Sequence, residues 1–372
     1  MGPIGPQGLQ GIPGPTGVPG PTGVPGPALA SLDSLNGVPC DGGAGVTTVS
    51  YASTGSVTVE CAAPAVTATP TSPTPTPTST VISLASQTTG LTLDSVTNKI
   101  YVARNGGLVS VIDGGTNSES TAVPLGDANT FELTVNPATN KIYVASGAED
   151  QTISVIDGAS NTVTKQVSFT YNDSFAGLSA NTATNKIYVA SSVSGAGVIR
   201  VIDGATDTAY ATVSTANVPE YVAADPTTNT IYATSPSSNS IAVIAGASNT
   251  VSSTLAVPGG PEGIGINSTT HRIYVANNSA NSVSVMDSMT NTLVTTIPVG
   301  MSPVGVAVDP TANKIYVTNS FGNSVSVIDG LGNTVTSVVP VGVRPVDVAV
   351  NPTTHKIYVL CEGDNTVWVL SE

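Results

Sequence analysis

The chain has 372 residues, a formal net charge of −14, 9% charged and 4% aromatic residues, 38 glycines and 27 prolines, a composition of short strands and tight turns that excludes a protein of long helices. Six of its ten basic residues (Lys99, Lys141, Lys186, Arg272, Lys314, Lys356) recur at one repeat position, so no basic patch assembles and no nucleic-acid partner is expected. No apolar run approaches the roughly 18–20 residues that cross a bilayer, so no membrane span is expected.

From Gly2 to Ala28 glycine stands at every third position, in the triplets GPI GPQ GLQ GIP GPT GVP GPT GVP GPA. Only glycine fits where three polyproline-II chains meet, so 1–28 reads as a collagen-like G-X-Y segment, about 80 Å long at ~3.1 Å per residue. A disordered proline-rich tail is the rival reading. The segment resembles the collagen-like stalks of bacterial surface proteins, which implies a homotrimer. Met1-Gly2-Pro3 shows neither the charged nor the apolar region of a secretory leader, so export requires either a longer start or another route.

Residues 29–62 alternate apolar and polar side chains in VTTVSYA and SVTVEC around Ser53-Thr54-Gly55, the pattern of a β-hairpin. Cys40 and Cys61 lie in this segment, which is too small to build its own core, so a disulfide between them and an oxidising compartment are expected. The segment resembles a small cysteine-paired module that follows collagen-like runs in bacterial exported proteins. Residues 63–79 (APAVTATPTSPTPTPTS) lack the apolar content to pack and read as an extended Pro/Thr linker.

Residues 80–372 are organised by Tyr101, Tyr143, Tyr188, Tyr232, Tyr274, Tyr316 and Tyr358, spaced 42, 45, 44, 42, 42 and 42 residues apart. Each belongs to one repeat, clearest from Pro303 to Gly342, with four period-2 strands a to d: VGVAV, KIYVTN, SVSVID and TVTSVVPV. Four strands per unit of about 42 residues predict the blade of a β-propeller and exclude helical repeats. The last repeat ends after strand c, while Thr80-Val81-Ile82-Ser83-Leu84 precedes the first repeat with the pattern of an orphan strand d. The fold expected is therefore an all-β, seven-bladed propeller whose N-terminal strand completes the last blade.

The wording KIYVTN at Lys314–Asn319, with KIYVAS, RIYVAN and KIYVLC elsewhere, resembles the YVTN-type β-propeller repeat family over nearly the whole of 80–372. The resemblance implies an exported or surface-layer setting and an architecture similar to lactonase-like propellers. Repeat four departs from the pattern, with Tyr232-Ala233-Thr234 for YVT and Ala245 for the usual aspartate.

Seven copies in one chain separate what the architecture demands from what is free. The a-to-b turns (such as Asp309-Pro310-Thr311-Ala312-Asn313) and the aspartates opening the c-to-d turns (Asp113, Asp157, Asp203, Asp287, Asp329) recur because proline fixes φ and Asx side chains close turns. His271 and His355 take the turn position held elsewhere by asparagine, and Cys361 the strand-end position of Asn277 and Asn319; none forms a sequence cluster for zinc, copper or haem. No nucleophile elbow, Walker loop or dinucleotide fingerprint is present.

The d-to-a and b-to-c connections vary, and in a propeller they share one face around the channel mouth. Near the start of strand a the copies carry Glu132, Asp173, Glu220, Glu262 and Asp347, with Arg344 beside the last. Their convergence would make a site for Ca²⁺, Mg²⁺ or a cationic ligand, with no other cofactor implied; a solvated acidic rim is the alternative. The sequence as a whole reads as a non-enzymatic, secreted or cell-surface protein whose propeller head binds a protein or cell-surface ligand. The runner-up is a metal-assisted, lactonase-like hydrolase or lyase acting at the channel mouth.

Overall fold

The computed structural model describes residues 46–51, 57–62, 78–126, 129–146, 152–169 and 173–371, and the chain divides into two units between Thr74 and Pro75. In the first unit Val46–Tyr51 pairs antiparallel with Val57–Ala62. The G-X-Y run 1–28, the disulfide expected between Cys40 and Cys61, and the linker up to residue 77 lie outside the described residues.

In the second unit every repeat forms a four-stranded antiparallel sheet in the order a-b-c-d. Blade 6 shows the plan: strand a Pro303–Asp309, b Lys314–Asn319, c Ser324–Asp329 and d Thr334–Pro340. The a strands of blades 1 to 7 are Thr88–Asp94, Thr130–Asn136, Asp173–Asn181, Tyr221–Asp225, Pro261–Asn267, Pro303–Asp309 and Pro345–Val350. Neighbouring a strands touch in a closed cycle, the last returning to the first, which makes the seven sheets a ring. Blade 7 is composite. Its strands Pro345–Val350, Lys356–Cys361 and Thr366–Ser371 are completed by Thr78–Ser83, which pairs with the C-terminal strand from Thr78 opposite Ser371 to Ser83 opposite Thr366. Blades 1 to 6 all carry a bulge between c and d, but this pairing runs without a register shift. No c-to-d turn constrains it.

The repeated tyrosine explains why the blades stack. All seven side chains are 0–2% exposed, and each sits in a separate apolar cluster shared by its own blade and the next. Tyr101 packs with Val109 and Val111 of blade 1 and Leu133 and Ile142 of blade 2. Tyr358 packs with Val367 of blade 7, Ile82 and Leu84 of the N-terminal strand, and Leu91 and Ile100 of blade 1. A sheet hydrophobic on both faces cannot stand alone, so each seam needs its neighbour. Where geometry allows, the hydroxyl finds a polar end: Tyr143 donates to Asp207 Oδ1 of blade 3 at 2.8 Å. The repeated basic residue at the start of strand b does similar work, Lys99 Nζ donating to Gly158 O of the next blade at 2.6 Å and Lys356 Nζ to Gly114 O at 2.7 Å.

A second belt runs around the axis at the a-to-b turns, where most non-glycine residues with φ near +50° are asparagines, the side chain that tolerates this region best. The last, fully buried residue of strand a bonds to the turn residue of the following blade. Asn136 Nδ2 donates to Asn185 Oδ1 at 2.8 Å, Asn181 to Asn229 and Asn267 to Asn313 at 2.9 Å, and Asn351 to Asn98 at 2.8 Å across the closing seam. The histidines belong to this belt. They are turn residues, as expected, but His355 Nδ1 lies 2.6 Å from Asp309 Oδ2 of the preceding blade. His271 likewise follows a blade that ends strand a in aspartate, Asp225, but no such bond forms there: Ser268 Oγ donates to Asp225 Oδ1 at 2.8 Å, while Asp225 Oδ2 and His271 Nδ1 have no partner among the described residues.

Two outcomes follow from the seams. Deleting residues 80–85 removes the strand that completes blade 7; the protein should lose thermal stability and self-associate in sedimentation velocity, and an unchanged monomer with an unchanged Tm would contradict the closure. Tyr143→Phe should cost about 1–3 kcal/mol in denaturant unfolding, because it strips a hydrogen bond from a carboxylate. Tyr101→Phe should cost less, since the Tyr101 hydroxyl finds no protein partner among the described residues.

Candidate functional site

The position of each strand-a side chain is fixed by the register between a and b. The residue opposite the repeated tyrosine is Thr92, Thr134, Ser179, Ala223, Gly265, Ala307 or Ala349. Two residues earlier comes a ring position around the axis: Gly90, Glu132, Gly177, Tyr221, Gly263, Gly305 and Asp347. Neighbouring backbones approach closely here. A Cβ on Gly263 would lie 2.3 Å from Val304 O and one on Gly305 2.9 Å from Val346 O, so glycine at these two positions is a condition of ring closure. The larger side chains of Glu132, Tyr221 and Asp347 occupy the channel, and with the glycines they line a cavity of about 170 Å³.

Glu132 and Asp347 are neighbours across blade 1. Glu132 Oε2 lies 2.7 Å from where a Cβ on Gly90 would stand, and the next amide, Leu91 N, donates to Asp347 Oδ2 at 2.8 Å. Carboxylates from blades 2 and 7 thus lean over the same two residues of blade 1 from either side. Val348 N donates to the other Asp347 oxygen at 2.8 Å. Two amides therefore favour the charged form of Asp347, while Leu133 alone supplies one for Glu132. Burial pushes both groups up, and the charge of Asp347 pushes Glu132 further, well above the usual carboxylate range. Of the two, Glu132 is the group more strongly driven toward its neutral form.

Glu220 and Glu262 stand one residue before the ring position, on the rim. Burial, and then the charge of Glu220, lift Glu262 to about 7. The Tyr221 hydroxyl is raised well above its ordinary value by burial and by Glu262, Glu132, Asp347 and Glu220 in that order, which places four carboxylates around one phenol.

Asp173 is not among them. In blade 3 the strands extend two residues further than elsewhere, so that Asp173 pairs with Val193 before the ring register begins, and its side chain makes a bidentate salt bridge with Arg200 Nη2, both oxygens at 2.9 Å. Arg344 turns to Glu362 Oε2 at 3.4 Å. Four of the five expected carboxylates converge, in two registers. Among the described residues no three His, Cys, Asp or Glu side chains form a group able to hold a metal ion; Ca²⁺ takes about 6–8 oxygens. Cys361 is fully buried and its thiol is pushed up to about 12, chiefly by burial, which makes it a core side chain and not a nucleophile.

Tyr221 is the site residue that composition and motif reading missed. It is a tyrosine outside the repeated position, and aligning strand a by its partner tyrosine reveals it in a register otherwise held by glycine or a carboxylate.

No protein-family model matches the chain, and no curated protein matches it in sequence. Among solved structures, a chain of the hydrazine synthase of Kuenenia stuttgartiensis is similar with a TM-score of 0.70, at 18% identity over 77% of this chain and 96% of that one. At that identity the likeness is one of fold, the propeller.

The carboxylate pair gives a pH dependence of defined sign. Groups whose native pKa is raised hold protons that the unfolded chain has already lost, so their contribution is greatest below the ordinary carboxylate value and disappears as pH rises through the raised one. Stability should fall from about pH 4.5 toward pH 7, where Asp347 and Glu262 titrate at about 6 and about 7. Glu132→Gln should flatten that fall and raise Tm at pH 8 by roughly 2–4 °C for each kcal/mol of repulsion removed; a wild-type-like pH profile in the variant would separate Glu132 from Asp347.

Proposed function

We propose that the chain is a non-enzymatic, exported or cell-surface binding protein, in which the N-terminal segments carry a YVTN-type propeller whose loop face meets a protein or cell-surface ligand. One observation carries this reading. The polypeptide enters the propeller at Thr78, beside Ser371, where strand c ends, and both ends of the domain therefore lie on the face of the a-to-b and c-to-d turns. That face is committed to the asparagine belt. The opposite face, formed by the d-to-a and b-to-c connections and the mouth of the carboxylate-lined channel, carries neither end of the domain.

The G-X-Y triplets and the Pro/Thr tract support an extended attachment. If the triplets trimerise, three loop faces are presented together and weak contacts gain through effective concentration. The absence of a helix long and apolar enough to cross a membrane among the described residues is compatible with attachment by such segments.

The rival reading, a metal-assisted hydrolase or lyase, draws on Glu132 and Glu262, whose raised pKa values suit general acid or base work. It is the weaker of the two. The channel brings these carboxylates together with a phenol and backbone glycines, both histidines lie at the turn face, and the cavity of about 170 Å³ is well below the roughly 300–1,000 Å³ usual for small-molecule sites.

Surface exposure is directly testable. Antibodies against the propeller should label intact cells of the source organism, and brief protease treatment cutting the Pro/Thr tract at 63–77, before the strand Thr78–Ser83, should release a folded head into the medium. Labelling only after lysis would overturn the proposal.

A further inference from the structure

Of the large exposed apolar side chains on the loop face, Phe131, 40% exposed, stands alone beside Glu132 on blade 2, and three others stand together on two adjoining blades. Met301, 53% exposed, lies in the connection into blade 6, Phe321, 65%, in the b-to-c loop of the same blade, and Val343, 48%, in the connection into blade 7. The equivalent residues one blade earlier are small: Gly259 stands for Met301 and Ser279 for Phe321. Architecture therefore does not require these side chains, and their desolvation by a partner is the plain reason to hold them in water.

They are held in place. Ser320 N donates to Ser302 O at 2.9 Å, tying the Phe321 loop to the Met301 loop. Arg344 N donates to Asn323 Oδ1 at 2.9 Å, tying the Val343 connection to the far end of the Phe321 loop. Gly363 N donates to Val343 O at 2.9 Å. The three side chains thus form one patch across the seam between blades 6 and 7, on loops already ordered, where docking costs little further entropy.

The patch adjoins the channel mouth. Val343 precedes Asp347 by four residues and Met301 precedes Gly305 by four, and both Asp347 and Gly305 line the channel; at ~3.3 Å per extended residue the separation is at most about 13 Å, and the left-handed Ser302 and Arg344 shorten it. The mouth is negative, with Asp347, Glu132, Glu262 and Glu220 around it, and the cationic side chain nearest the patch, Arg344, is engaged by Glu362. A cavity of about 170 Å³ has room for one extended side chain, and the carboxylates do not form a metal-ligand group among the described residues. An ammonium or guanidinium on a long stem satisfies both constraints.

Resting on the reading of the head as a binding module, we infer that the loop face docks an extended segment of another protein, which inserts a lysine or arginine into the channel mouth and lays bulky apolar side chains about four residues away on Met301, Phe321 and Val343. Charge complementarity fixes the register of such a segment and the patch supplies the buried area. The partner is a basic, apolar peptide segment, not a metal ion or a small metabolite.

The test is selection of a random-peptide phage library of about a dozen residues on the immobilised full chain, followed by titration of synthetic versions of the enriched peptides. The enriched peptides should pair Lys or Arg with Phe, Leu, Ile, Met or Trp at about that spacing. They should bind Phe321→Ser and Asp347→Asn at least about tenfold more weakly, and Leu331→Ser, on the turn face, unchanged. Asp347→Asn can disturb the fold through its two amide bonds, so Glu262→Gln on the rim is measured beside it and should weaken binding in the same direction. Peptides without a basic residue, or peptides indifferent to Phe321→Ser and Glu262→Gln, would overturn this inference; if Leu331→Ser abolished their binding, the head would still be a binding module acting through its other face. No enrichment above the unselected library would also overturn it, while the cell-labelling experiment judges the surface reading separately.

Discussion

Burial of one tyrosine in each seam between blades is the interaction on which the propeller depends. A tyrosine hides about 150–250 Å², so at ~25 cal/mol/Å² each contributes up to about 4–6 kcal/mol, an upper bound because the unfolded chain already hides part of that area. Whole domains are stable by only about 5–15 kcal/mol. One unfilled seam is therefore comparable with the total, and a ring of seven sheets with six good seams is not a slightly weaker propeller but a marginal one. Sharing blade 7 between Thr78–Ser83 and the C-terminal strands follows from this constraint. The strand brings Ile82 and Leu84 into the cluster around Tyr358, so the last seam is completed by the residues that also tie the two ends of the domain together.

The same constraint divides the molecule into a fixed face and a free one. The tyrosine, the repeated lysine and the asparagine belt reach from one blade toward the turns of the next, and at several seams each makes a neighbour-to-neighbour bond. Changing any of these residues disturbs two blades. The loop-face connections have no such duty beyond carrying the chain over to the next strand, and there Met301, Phe321 and Arg344 differ from their counterparts in blade 5.

The blades were legible because their signal is local: a buried tyrosine every 42 to 45 residues and period-2 strands need no knowledge of the neighbours. The final strand was legible for a complementary reason, since a repeat lacking d and an orphan strand with the pattern of d can satisfy only one another. What eluded the sequence depends on register or on contacts across blades. Glu220 and Glu262 look equivalent to Glu132 and Asp347 until strand a is aligned on its tyrosine partner, which shows an offset of one residue. Asp173 looks like a fifth member until the extended strands of blade 3 place it opposite Val193 and against Arg200. His355 reads as a solvent-facing turn residue within its own repeat, and only the preceding blade reveals its partner, Asp309. Both histidines follow a blade that ends strand a in aspartate, a correlation visible in the sequence, yet only the seam between blades 6 and 7 turns it into a bond.

A nearly sevenfold scaffold can build a single site only by breaking its own repetition, and the ring position shows how this chain does so. Four of its seven members are glycine, and the three that are not carry two carboxylates and a phenol into the same narrow channel. Glycine is more than a filler between them. Gly90 stands between Asp347 and Glu132, and because it lacks a side chain both carboxylates can lean over blade 1, one against Gly90 itself and the other on the amide of Leu91. Burial then raises both groups and the charge of Asp347 raises Glu132 further, while two amides favour the charged form of Asp347 against one for Glu132. A cation arriving there would meet a carboxylate, Asp347, that the Leu91 amide of blade 1 already holds in position. The asymmetry of the channel, and with it any preference for one ligand orientation over the other six that the scaffold offers, thus originates in which ring positions gave up glycine.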